Sequence, residues 1–200
     1  MTNRLLIGVA WIIASAMVFG ACSTAPETRP GQADSTVTAP SATSAASLPA
    51  INFDDFVTSM CLAFDSMFEA IGNPDTASGS ALSKKLDEAV QTKDGAAADR
   101  LAAPMTRALE DGRRQAAVAA GYPSGAPMAI QLDRVLAAFV VMVAAKRSIA
   151  NGVSGAPDPQ TAFERAGGLD AWRAMFEVVR AIDRPAGAPV RQCPTVPVSL

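Results

Sequence analysis

Histidine is missing altogether from this 200-residue chain. Ser-His-Asp and Cys-His hydrolysis go with it, because both need an imidazole to take and return a proton. The usual zinc hydrolase sites, histidine-ligated haem and the Glu-x-x-His di-iron bundle are excluded as well. No Gly-rich phosphate loop, Walker lysine or EF-hand loop occurs. Ser83-Lys84-Lys85 does not make the Ser-x-x-Lys spacing of acyl-serine enzymes. An excess of charge is lacking too. Seventeen basic and 19 acidic residues leave a net charge of −2, which is no footprint for nucleic acid. No polybasic run is present to grip anionic lipid. Carboxylate-only chemistry survives these exclusions, but the acids are scattered. Asp65 and Glu69 stand four apart on a helical pattern, a spacing read here as a solvated face. No catalytic residue, metal ligand or cofactor is therefore assigned, and the chain is expected not to be an enzyme.

What is present begins with an export segment. Arg4 and the N-terminal amine form a small positive region. Leu5 to Val18 is apolar and uncharged, and Phe19-Gly20-Ala21-Cys22 closes it with small residues before a cysteine. Residues 1–22 resemble the signal of bacterial lipoproteins. The resemblance covers this segment alone; the rest of the chain resembles no family. It implies that residues 1–21 are removed and that Cys22 is acylated. Phe19 stands where that family usually has leucine or another aliphatic. Two other readings stay open. One is an ordinary cleaved secretory signal, which wants small residues at both minus three and minus one. The other is an uncleaved anchor, since Leu5–Ala21 offers 17 apolar or small residues, the lower edge of what spans a bilayer. All three readings export the domain. Under the lipoprotein reading it sits on the extracytoplasmic face of the cell membrane, held by lipid.

After Cys22 comes a linker of Ser, Thr, Ala and Pro, to residue 50. Pro26, Pro30, Pro40 and Pro49 oppose helix and sheet, and almost no large apolar side chain is present. A disordered tether is predicted, its ends roughly 30 Å apart as a flexible coil.

From residue 51 to 184 apolar residues recur at threes and fours, and no stretch alternates as a strand would. The first helix carries Phe53, Val57, Met60, Phe64 and Ile71. It should open near Asn52 to Asp54 and end at Gly72-Asn73-Pro74. A second starts near Ser80. A third runs from about Ala96 to Ala120, with Pro104 predicting a kink or a restart. The fourth, about Pro127 to Ala150, contains the all-apolar run Val135–Ala145, the mark of a helix covered on several sides. Asp158-Pro159 opens a short piece. A last amphipathic helix shows Leu169, Trp172, Val179 and Ile182, with Pro185 as its stop. The predicted fold is all-α: a compact bundle of about four to six helices around a central apolar helix.

Once Cys22 is assigned to lipid, Cys61 and Cys193 remain. They form an even pair in an oxidising compartment, and a disulfide between them is expected. It would clip the proline-rich tail, residues 185–200, onto the first helix. The rival is two free thiols.

Six methionines (Met60, Met67, Met105, Met128, Met142 and Met175) can be plain core or the lining of an apolar pocket. Tyr122, the sole tyrosine, lies in a Gly/Pro loop as a contact residue or as a plug on the bundle end. The expected function is a non-enzymatic interaction module of the cell envelope, engaging a protein, glycan or lipid partner. The alternative is a carrier of small apolar ligands with a cavity between helices.

Overall fold

In the computed structural model, Asn52 opens the first helix, α1 (Phe53–Ile71), by accepting the backbone N–H of Asp55 on its side chain at 2.8 Å. Residues 49–73, 78–188 and Cys193 are described, all within the unit Ala45–Leu200. The export segment, Cys22 and the linker as far as residue 48 lie outside the described residues.

Short polar side chains start most of the other helices in the same way. Ser80 caps α2 (Ala81–Thr92), Asp94 caps α3 (Gly95–Ala119) and Asp158 caps α5 (Pro159–Arg165), each accepting a backbone N–H three residues on. Such a cap satisfies one orphan donor and is worth about 1 kcal/mol. α4 (Ala126–Ala150) starts instead with Pro127 in its first turn, where the missing N–H costs nothing. α6 (Gly168–Val178) passes into a 3-10 turn at Val179–Ala181. It therefore ends before Pro185, the expected stop. α3 runs unbroken through Pro104, so the restart expected there does not occur. Between α1 and α2, Gly72–Asn73 pairs antiparallel with Ser78–Gly79. This pairing of two residues on each side is a minimal two-stranded sheet and leaves the domain helical.

The packing follows from the apolar stripes. α3 lies between α1 and α4. On its other side α4 meets α5 and α6, and α2 lies across both α3 and α4. The bundle is all-α with the apolar α4 at its centre. Its core joins Phe56, Met60, Phe64 and Met67 of α1 to Met105 and Leu109 of α3. Leu132 and Leu136 of α4 and Met175 of α6 complete it. Burying one such side chain is worth about 1.5–3 kcal/mol. Gly112 makes the three-helix contact possible: a Cβ there would stand 3.0 Å from the Ala63 carbonyl oxygen and 3.3 Å from Leu136 Cδ1.

α4 is, among the described residues, the one helix long and apolar enough to cross a membrane, but half of its apolar window is buried inside the domain. Lys146, near its C-terminal end, pairs with Asp87 of α2 at 2.6 Å. Both features suit a core helix.

Cys61 and Cys193 form the expected disulfide, with Cα atoms 5.2 Å apart. Cys193 is buried. Cys193 is thus fastened to α1.

Candidate functional site

Two of the residues singled out from the sequence are spent on structure. Cys61 and Cys193 are joined to each other, so neither is a free thiol. Cys22 lies outside the described residues. Tyr122 proves to be the plug on the bundle end. Its ring meets Phe53 edge-on at 5.8 Å and lies 5.2 Å from Phe56. Its hydroxyl donates to the backbone carbonyl of Asp183. Five of the six methionines are plain core: Met60, Met67, Met105, Met128 and Met175 are fully buried. Of the carboxylates four apart on α1, Asp65 is half-buried and Glu69 exposed.

Met142 is the exception. It lines an apolar cleft of about 210 Å³ together with Phe139, Gln160, Phe163, Leu169 and Trp172. Three helices build it. α4 supplies Phe139 and Met142 one turn apart, α5 supplies Gln160 and Phe163, and α6 supplies Leu169 and Trp172. Phe139 and Phe163 lie with ring centroids 4.7 Å apart. Trp172 stands edge-on to Phe176 at 5.2 Å, and Phe176 is 43% exposed. The aromatic surface therefore continues out of the cleft onto the face of α6.

The cleft depends on close approach of α6 to α4. Gly168, the first residue of α6, makes that approach. A Cβ there would come within 2.4 Å of the Phe163 ring and 2.7 Å of Ala138 Cβ. Periodicity assigns Phe139 and Trp172 to their own helices without saying what covers them. α5 is only seven residues long, so Phe163 carries no readable period of its own.

The polar chemistry lies elsewhere, on the outer face of α3 and α4. Arg113 Nε donates to Asp133 Oδ1 at 2.8 Å. Arg147 donates to Asp99, and Asn151 Nδ2 lies 3.3 Å from the same carboxylate oxygen. The Arg147 hydrogen bond is the main cause holding the Asp99 carboxyl below its ordinary 3.8. No buried side-chain N or O atom among the described residues lacks a hydrogen-bond partner. No group of three Cys, Asp or Glu among them is placed to hold a metal.

No family model matches the chain, and no curated protein or solved structure matches it either.

Proposed function

We propose that this chain is a lipid-anchored, extracytoplasmic protein of the cell envelope, and that its helical domain is a non-enzymatic binding module working through the aromatic cleft of α4, α5 and α6. The observation that carries the reading is the exposed continuity of Trp172 and Phe176 with the cleft behind them. Exposed aromatic surface beside a concave apolar site is the composition of binding hot spots. The volume fits one apolar side chain. It falls below the roughly 300–1,000 Å³ of sites that enclose whole small ligands. An apolar side chain of an envelope protein is accordingly favoured over a free ligand. The carrier reading draws on the same lining, Met142 with Phe139 and Phe163, and would need a larger and closed cavity. Gly20-Ala21-Cys22 supports the anchor.

The test is a photo-crosslinking amino acid placed in intact cells at position 176, and at exposed position 88 on α2 as a control. A discrete protein adduct at 176 alone, lost in Trp172→Ala, supports the module. Adducts only to lipid, or equal adducts at both positions, would remove it. Fatty-acid labelling that vanishes in Cys22→Ser tests the anchor separately.

A further inference from the structure

The rim of the aromatic cleft is charged, and its two sides differ in sign. Phe176 lies outside the cleft on α6, and an arginine stands one turn away on each side of it, Arg173 before and Arg180 after. Both arginines are exposed. Asp170 stands three residues before Arg173, and Glu177 three before Arg180, a spacing at which helical ion pairs form. Neither pair is made. Among the described residues, Arg173 and Arg180 have no ion-pair partner. Counted around the helix, the arginines fall between the apolar stripe of Leu169, Trp172 and Phe176 and the two acids behind. On the α5 side, Gln160 of the cleft donates from Nε2 to Glu164 at 2.9 Å. The rim is thus acidic along α5 and basic along the aromatic edge of α6.

Such a rim selects by charge. Guanidinium groups beside an apolar site receive carboxylates in two-pronged hydrogen bonds. Arg180 follows Arg173 by seven residues, about 11 Å along the helix. The segment that fits puts one apolar side chain into the cleft and a carboxylate on either side of the Phe176 ring. Glu164 repels those same carboxylates, so the segment lies over α6 and not over α5. An anionic membrane fits less well. Asp170 and Glu177 cancel the two arginines within the helix, so no long-range attraction to a charged surface remains. A carboxylate paired with one arginine needs only the local contact.

The chain's own flanking sequences lack this chemistry. Between Glu27 and Asp34, the acids of the linker, no apolar side chain is larger than alanine, and Arg29 stands among them. Residues 189–200 offer valines and Leu200 but no acid, and they carry Arg191. The occupant therefore comes from another protein. We infer that the partner is an acidic segment of an envelope protein, with an apolar side chain seated in the cleft and carboxylates held by Arg173 and Arg180. This rests on the cleft being the binding site, as proposed above. The arginines then decide which apolar segments are accepted, while Trp172 and its neighbours supply the contact.

The test uses the photo-crosslinking residue at position 176 in intact cells, with Trp172→Ala as the reference for the cleft. Arg173→Glu combined with Arg180→Glu should lower the protein adduct about tenfold or more, because like charges then meet. Arg173→Gln combined with Arg180→Gln should lower it less. Asp170→Lys combined with Glu177→Lys changes the same helix in the opposite sense and should keep or raise the yield. All four positions are exposed, so circular dichroism and Tm should match the wild type. Fragmentation of the adduct should find Asp or Glu on both sides of the crosslinked residue of the partner. An adduct abolished by Trp172→Ala but indifferent to both arginine variants overturns this inference alone. No adduct at 176 overturns it together with the cleft reading. An equal fall in the lysine variant, or an adduct to anionic lipid or to a second copy of this chain, overturns it as well.

Discussion

The Tyr122 hydroxyl donates to the backbone carbonyl of Asp183, 61 residues further along the chain. Ser124 Oγ accepts the backbone N–H of the same residue at 3.0 Å. Both peptide groups of Asp183 are therefore held by the loop that joins α3 to α4. That loop rests in turn on Phe53 and Phe56 at the start of α1. One tyrosine ties the beginning, the middle and the end of the domain together. Tyr122→Phe removes only the hydroxyl and should cost about 1 kcal/mol. Tyr122→Ala also empties the space between the rings and should cost roughly 3 kcal/mol. Urea denaturation of the two variants should resolve them in that order. Equal losses would mean that the ring packing contributes nothing, and no loss in Tyr122→Phe would mean that the hydroxyl is irrelevant.

The disulfide is the second fastening. It joins residues 132 apart, for which the chain-entropy account gives a ceiling of about 4–5 kcal/mol. Compact denatured chains lower the yield, so Cys193→Ser should lose a few kcal/mol. Mass spectrometry without reductant should find the pair joined. Wild type treated with reductant should melt like Cys193→Ser. Free alkylation of both thiols in the unreduced, unfolded protein would contradict the bridge.

Asp99 carries a pH dependence with a definite sign. Its carboxyl is held below the ordinary 3.8, first by the Arg147 hydrogen bond and then by Asn151. A depressed carboxylate stabilises the fold above its unfolded value, and that contribution is lost as pH falls through the folded value. The site is exposed, so the stability effect is small. The titration itself is the better readout. Carbon-detected NMR should show the Asp99 carboxyl titrating below 3.8, and Arg147→Gln should bring it back toward that value. An unchanged midpoint in Arg147→Gln would rule out the stated cause.

Most of the helices were legible because local residues mark a start or a stop. Asn52, Ser80, Asp94 and Asp158 are short acceptors placed just before an apolar period, and each caps the helix that follows. Local chemistry of that kind needs no knowledge of neighbours. Pro104 shows the limit. A lost backbone hydrogen bond argues for a break, yet packing against α1 and α4 holds α3 in one piece. The cleft was not legible at all. Phe139, Phe163 and Trp172 each satisfy the apolar face of a separate helix, and only the order of packing leaves their edges uncovered. Tyr122 was legible as a loop residue, while its partner Asp183 was not, since nothing local links them.

Phe176 and Trp172 should separate stability from binding. Phe176 is 43% exposed, and losing its edge-on contact with Trp172 should cost about 1 kcal/mol. Phe176→Ser should therefore lower Tm only slightly and yet lose the crosslinked partner. A large fall in Tm would place Phe176 in the core instead of the contact surface.

Gly168→Ala tests whether the cleft depends on the approach of α6 to α4. The new methyl would meet the Phe163 ring at 2.4 Å and Ala138 Cβ at 2.7 Å, well inside contact distance. Phe163 cannot swing aside cheaply, because Phe139 packs on it at 4.7 Å. The start of α6 must move instead, and Trp172 moves with it. Overpacking of this kind costs about 1–3 kcal/mol, which thermal melts would resolve. The readout for the site is fluorescence. Trp11 lies in residues 1–21, the proposed export segment, so Trp172 is the only tryptophan beyond it. Its emission should shift to the red and its quenching by iodide should rise as the cleft opens. Ala174→Ser, a half-buried change on the same helix, controls for a general loosening of α6 and should leave both signals in place. If Gly168→Ala keeps wild-type emission and melts normally, the close approach at Gly168 does not shape the cleft.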